Sequence, residues 1–131
     1  MTSTGGSQDK KWTTRASGRL GEEAAEVFLT GRGFVVLGRN ERTPVGELDL
    51  VCEYEQTVVI VEVKARRSSA YGAGLEAIGP RKAARLRAAA VWWLAAQGRM
   101  PCPLRFDAVE VTLDEGGRPA KVEHFTNVLD W

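Results

Sequence analysis

Apolar positions along the chain fall into two helical patterns and five shorter extended runs. After Ser17, a residue type suited to an N-cap, apolar side chains recur at Leu20, Ala24, Ala25, Val27, Phe28 and Leu29, and Gly31 and Gly33 end the pattern. This predicts a first helix of about four turns. Phe34 to Leu37 is a short apolar run, followed by turn chemistry at Asn40, Pro44 and Gly46. Glu47 to Glu53 alternates, and Thr57 to Ala65 is β-branched and rich in valine. Tyr54-Glu55-Gln56 separates these two runs, which together predict a hairpin. A small glycine-bearing loop, Ser68 to Gly74, leads to a second helix that starts near Pro80 and stops at Gly98. Leu104 to Thr112 and Ala120 to Val128 alternate like strands around Gly116-Gly117.

The resulting order is α-β-β-β-α-β-β. Hairpins together with a helical crossover require a mixed sheet, so the fold class is α/β with helices flanking a central sheet. The polar stretch 1–15 reads as a flexible N-terminal tail, and 16–131 as a single domain. The longest apolar stretch, Ala88 to Ala96, is too short to span a bilayer. No apolar segment of signal-peptide type follows Met1, so a cytoplasmic location is expected. Cys52 and Cys102 stand far apart with no Cys/His cluster, which excludes a disulfide framework or a structural zinc site. Cys52 falls within a strand and reads as a buried free thiol.

The net charge of +1 conceals a strong asymmetry. Residues 64–105 carry nine Lys/Arg against one acid, Glu76, while the segments on either side are net acidic. Such a block is often just a solvated face, but it also suits a polyanionic partner. Arg66 and Arg67 follow the valine-rich strand, and Arg81, Lys82 and Arg85 lie in the first turns of the second helix, with Arg81 and Arg85 on one face. These five are the candidate nucleic-acid contacts.

Chemistry concentrates in the hairpin. With its loop centred between Glu55 and Gln56, Val51 faces Ile60, Asp49 faces Glu62 and Glu47 faces Lys64, all on one side of the sheet. That side is apolar near the turn and carries three carboxylates and a lysine at the open end. Carboxylates opposed across a strand pair repel one another unless a cation lies between them. Oxygen donors without nearby His or Cys suit Mg²⁺ or Mn²⁺. The alternatives are ordinary cross-strand ion pairs, and a one-residue slip in register that would send Asp49 to the opposite face. On the first helix, Glu22 lies about 20° beyond Leu29 and Glu23 about 40° beyond Val27, so the helical wheel does not choose between them.

Gly46-Glu47-Leu48-Asp49-Leu50-Val51 followed by Val61-Glu62-Val63-Lys64-Ala65-Arg66 resembles the bipartite PD-(D/E)XK nuclease motif, with Leu48 where the superfamily name implies proline. More closely, the chain resembles the YraN-like family of bacterial proteins, itself similar to archaeal Holliday junction resolvases. The resemblance runs from about Gly18 to Phe125 and includes Gly21-Glu22, Tyr71-Gly72, Lys82 and Arg105-Phe106-Asp107.

It implies a restriction-endonuclease-like three-layer core, with Asp49, Glu62 and Glu22 as metal ligands, Lys64 as the catalytic lysine and Mg²⁺ as cofactor. It also favours Glu22 over Glu23, and implies homodimers. The leading functional expectation is therefore a Mg²⁺-dependent endonuclease acting on DNA, with branched or structured DNA favoured. The competing expectations are a non-catalytic nucleic-acid-binding module on the same fold, and a structural interaction domain whose charges only solubilise it. Glu47 is expected to partner Lys64 or to act as an outer acid. His124 and Asp107 are expected to be structural, Trp93 to lie in the core, and Trp92 to pack, stack on a base or enter an interface.

Overall fold

Two apolar clusters lie on opposite faces of one sheet, and each is closed by a different helix. In the computed structural model, which describes residues 6–67 and 78–129 (side chains from Gly18 onward), the order is α1 (Gly6–Gly31), β1 (Val35–Thr43), β2 (Gly46–Tyr54), β3 (Thr57–Arg67), α2 (Pro80–Ala96), β4 (Leu104–Leu113) and β5 (Pro119–Phe125). The five strands lie in sequence order. Neighbours are antiparallel except β3 and β4, which run parallel with α2 as the crossover between them. The predicted element order and mixed sheet are both present. The predicted loop from Ser68 to Gly74, with Tyr71 and Gly72, lies outside the described residues.

Ala25 and Leu29 of α1 pack with Leu50, Cys52, Val59, Val61, Val109 and Val111 on one face. Leu86, Ala90, Trp93 and Leu94 of α2 pack with Val51, Val58, Ile60 and Phe106 on the other. The alternation of β3 explains the division, because its odd positions feed the α1 side and its even positions the α2 side. This makes three layers, helix, sheet and helix.

The β2–β3 hairpin has the expected register, Val51 opposite Ile60, and turns at Glu55 and Gln56. Both turn residues have positive φ (51° and 65°), which gives the twist that a two-residue hairpin needs without glycine.

Several boundaries differ from the sequence pattern. The α1 backbone is helical from Gly6 rather than from Ser17, since no Pro or Gly between Ser7 and Ser17 stops it. β1 continues through Asn40, placed above in a turn, because Asn tolerates its φ of 49°. Val27, placed above in the apolar arc of the first helix, is 72% exposed. Cys52 is buried as expected, and burial pushes its thiol up to about 12.

Candidate functional site: a carboxylate pair beneath the basic end of α2

The β2–β3 ladder stops at Leu50 opposite Val61, one rung short of Asp49 and Glu62. From that point the connection is made by a side chain, as Asp49 Oδ2 accepts the backbone N–H of Val63 at 2.8 Å. Alternation in β2 breaks at the same place, because Leu48 and Val51 both join the α2-side core although strict period two would separate them. Asp49 and Glu62 are thus not a hydrogen-bonded rung. Both line a cavity of about 650 Å³, with Glu47 from β2 and Arg81, Lys82 and Arg85 from α2. Gly46 lets α2 come close at this point: a Cβ there would meet Arg85 Cγ at 3.2 Å and Ala89 Cβ at 3.6 Å.

The cavity holds more negative charge at Asp49 than it readily solvates. The Asp49 carboxyl is pushed up to about 7, chiefly by burial, then by the charge of Glu62 and, more weakly, of Glu22; the Val63 N–H and Lys82 oppose the rise. Lys82 Nζ sits 2.5 Å from Glu62 Oε2, and Glu62 is only 14% exposed. The ammonium is thus the cation already answering the carboxylate pair.

Hard oxygen donors in a partly buried, repulsive arrangement fit a divalent cation. The fit is incomplete: among the described residues, no group of three or more His, Cys, Asp or Glu side chains is gathered closely enough to hold a metal. Asp49 and Glu62 are the pair, and Glu22 acts on Asp49 through space.

Glu22 reaches this end of the sheet because α1 crosses β3 in close contact. A Cβ on Gly21 would lie 2.6 Å from Ala65 Cβ, so only glycine allows the approach. Glu23 lines a separate groove with Leu20, Val27 and Phe28, which resolves the ambiguity of the helical wheel.

The predicted partnership of Glu47 with Lys64 is not formed. Beyond the end of the ladder, Glu47 Oε2 instead lies 3.4 Å from Arg42 Nε. Lys64 keeps the face of Glu62 by alternation and aligns with Glu110 on β4, but it does not line the cavity. Arg66 pairs with the buried Glu110 at 3.0 Å, and Arg67 Nη1 donates to the Glu115 carbonyl at 3.3 Å. Of the five basic candidates, only Arg81, Lys82 and Arg85 flank the carboxylates.

One further cluster escaped the sequence reading. His124, which looked isolated, donates Nε2–H to Asp107 Oδ2 at 2.8 Å, while Arg105 grips both Asp107 oxygens at 2.8 and 2.9 Å. The expected supporting role of Asp107 is therefore present, with a histidine added to it. Seventeen residues of sequence hide that link.

Fold and cavity together define an α/β domain with an acidic pocket flanked by the cations of one helix. Residues 21–111 match the family described as Uncharacterised protein family UPF0102. The chain is 44% identical to a UPF0102 protein of Anaeromyxobacter dehalogenans, an alignment covering 88% of this chain and 85% of that one. It is 41% identical to one of Syntrophomonas wolfei (88% and 98%) and 47% identical to one of Renibacterium salmoninarum (82% and 90%). The chain belongs to the UPF0102 family.

Proposed function

We propose that the protein is a Mg²⁺-dependent endonuclease of the PD-(D/E)XK type acting on DNA, with branched or structured DNA as the favoured substrate. The observation that carries this reading is the raised carboxyl of Asp49 beside Glu62, in a cavity whose other wall is Arg81, Lys82 and Arg85. Such a wall suits phosphates, and such a floor suits a cation.

Asp49 and Glu62 would hold the metal, with Glu22 adding negative potential from α1. A bound Mg²⁺ supplies Lewis-acid polarisation of a phosphoryl oxygen and a more acidic water. Arg81 and Arg85 position the phosphodiester by charge, without reading sequence. Lys64, on the face of Glu62, is the lysine that the motif assigns to transition-state charge. Lys82, now against Glu62, would have to give up that contact for Glu62 to hold the ion.

A second reading has its own support. Lys82 already neutralises Glu62, and Lys64 is not a cavity residue, which is what a non-catalytic nucleic-acid-binding module would tolerate.

The test is incubation of purified protein with duplex, single-stranded and four-way-junction DNA in Mg²⁺, Mn²⁺ or EDTA. Metal-dependent cutting that is lost in Asp49→Asn establishes the nuclease. Metal-independent binding without cutting establishes the module.

A further inference from the structure

The Arg105-Phe106-Asp107 motif has no part in the cavity described above. Asp107 pairs in register with Val61, itself opposite Leu50, on the α1 side of the sheet, and Arg105 two residues earlier lies nearer the Tyr54 end of β2. Tyr54 is five residues from Asp49, about 17 Å along an extended strand. Around this motif is a separate pocket of about 340 Å³ lined by Arg32, Phe34, Tyr54, Arg105, His124 and Thr126, none of which lines the carboxylate cavity.

The pocket is built from its floor upward. The Asp107 side chain is fully buried and accepts four hydrogen bonds, two from Arg105, one from His124 Nε2–H and one from the Asn127 amide at 2.9 Å. These fix the guanidinium of Arg105 and the ring of His124, and they tie β5 and the turn after it to β4. Phe34 and Tyr54 stack at 4.4 Å between centroids, and Phe34 meets the His124 ring edge-on at 5.5 Å. The donors are therefore held on aromatic walls rather than on mobile side chains.

The lip is less satisfied than the floor. Arg32 Nη1 lies 3.3 Å from His124 Nδ1, and its guanidinium sits 4.7 Å from the Phe28 centroid. Arginine can only donate, so this contact is a hydrogen bond only with Nδ1 as the acceptor. A cationic N–H normally finds an anionic oxygen at about 2.7–2.9 Å. Here it has a ring nitrogen at longer range, and among the described residues Arg32 has no carboxylate partner.

Arg105 is matched by Asp107 and feels the more distant Glu55, which leaves Arg32 as the uncompensated charge at the mouth. A carboxylate ligand could be met by Arg32 alone. Two guanidinium groups and the Thr126 hydroxyl around one space suit an acceptor with oxygens in several directions.

We propose that this pocket is a second anion site, binding a phosphate group through Arg32 and Arg105, with His124 as its reporter. Occupation draws Arg32 away from His124 Nδ1 and onto phosphate oxygens. The terminal phosphate of a nucleic acid and free inorganic phosphate share this chemistry. The proposal does not depend on the nuclease reading.

His124 is the only histidine in the chain, so its imidazole gives a single set of NMR signals. The full-length protein is titrated with inorganic phosphate against chloride of matched ionic strength. Saturable movement of the His124 signals by phosphate and not by chloride is expected. Arg32→Gln, a change at an exposed side chain that leaves Asp107 and the sheet untouched, should weaken the response at least tenfold, whereas Asp49→Asn should keep it. A dinucleotide with a 5′-phosphate, compared with its unphosphorylated form, separates the two sources: movement by the former assigns a nucleic-acid end, and movement by inorganic phosphate alone assigns the free ion. Equal responses to phosphate and chloride, or an unchanged titration in Arg32→Gln, would overturn the site.

Discussion

Asp49 accepts the Val63 amide at the point where β2 and β3 part, so one carboxylate both closes the sheet and faces the cavity. Glu62, Glu22 and Lys82 act on the same carboxyl electrostatically. Holding an acid in this position is costly to the metal-free protein.

That cost has a definite pH dependence. Burial and Glu62 raise the folded carboxyl to about 7, above an ordinary aspartate near 3.9. The contribution of Asp49 to stability is fully present below about pH 4 and is lost as pH rises toward 7. Asp49→Asn cannot ionise and escapes this loss. In EDTA, denaturant unfolding should therefore show the variant gaining on wild type between pH 4 and 7, by about 2–4 kcal/mol at the upper end at one pKa unit per roughly 1.4 kcal/mol. Parallel profiles for the two proteins would show that Asp49 ionises normally.

Close contact between α1 and β3 gives the second prediction. Gly21→Ala improves intrinsic helix propensity by about 1 kcal/mol. It also sets a methyl 2.6 Å from Ala65 Cβ, where neither backbone can yield without disturbing buried strands. The net effect should be destabilising by about 1–3 kcal/mol, with partial recovery in Gly21→Ala/Ala65→Gly. Chemical denaturation of the single and double variants checks the pair. A Gly21→Ala protein more stable than wild type would show that the helix simply shifts.

How much was legible beforehand can be traced to individual residues. The two-residue turn at Glu55-Gln56 and the pairing of Val51 with Ile60 follow from alternation, because a one-residue slip would bury the wrong face. Alternation carries no information about where a ladder ends, so the parting of strands at Asp49 was hidden, and with it the loss of the Glu47–Lys64 pair. Lys82 was visible as a basic residue on the second helix, but its contact with Glu62 depends on how α2 crosses β2. The Asp107–His124 bond is diagonal across β4 and β5, since His124 stands opposite Val109 in the ladder. The Gly116-Gly117 turn could have supplied that register. The charge block at 64–105 holds two environments that sequence does not separate: Arg81, Lys82 and Arg85 flank the carboxylates, while Arg66 lies against Glu110 and Arg67 against the Glu115 carbonyl.

That division, with the proposed DNA binding, leads to a salt experiment. Each phosphate neutralised on duplex DNA steepens the fall of log affinity with log salt by about 0.9. Removing Arg81, Lys82 and Arg85 together should flatten the slope by about 2–3, whereas Arg66→Ala/Arg67→Ala should change it by less than about 1. Fluorescence anisotropy across a salt series, in EDTA, measures both. Equal losses from the two sets would mean that the DNA track extends past the end of β3 as well as over α2.

Two lysines compete for the role of the essential cation, and their substitutions should differ in kind. Lys82 touches Glu62 in the metal-free protein, while Lys64 shares the face of Glu62 without lining the cavity. Lys82→Ala leaves Asp49 and Glu62 with less opposing charge, so metal-free stability should fall modestly. The half-exposed ammonium limits that loss to about 1 kcal/mol. If Asp49 and Glu62 hold a divalent ion as proposed, the same change removes the group that the ion would displace, so Mn²⁺ affinity by calorimetry should rise several-fold. On the nuclease proposal, Lys64→Ala should leave Mn²⁺ affinity nearly unchanged and abolish cutting, because its charge would be needed only when negative charge develops on the phosphate. Measuring metal affinity and cleavage together separates the assignments. If Lys82→Ala loses cleavage while binding metal more tightly, and Lys64→Ala cuts normally, the catalytic lysine belongs to α2 and the motif's assignment of Lys64 is wrong. If neither variant alters metal affinity, Asp49 and Glu62 do not hold the cation, and the cavity is better read as a nucleic-acid-binding surface.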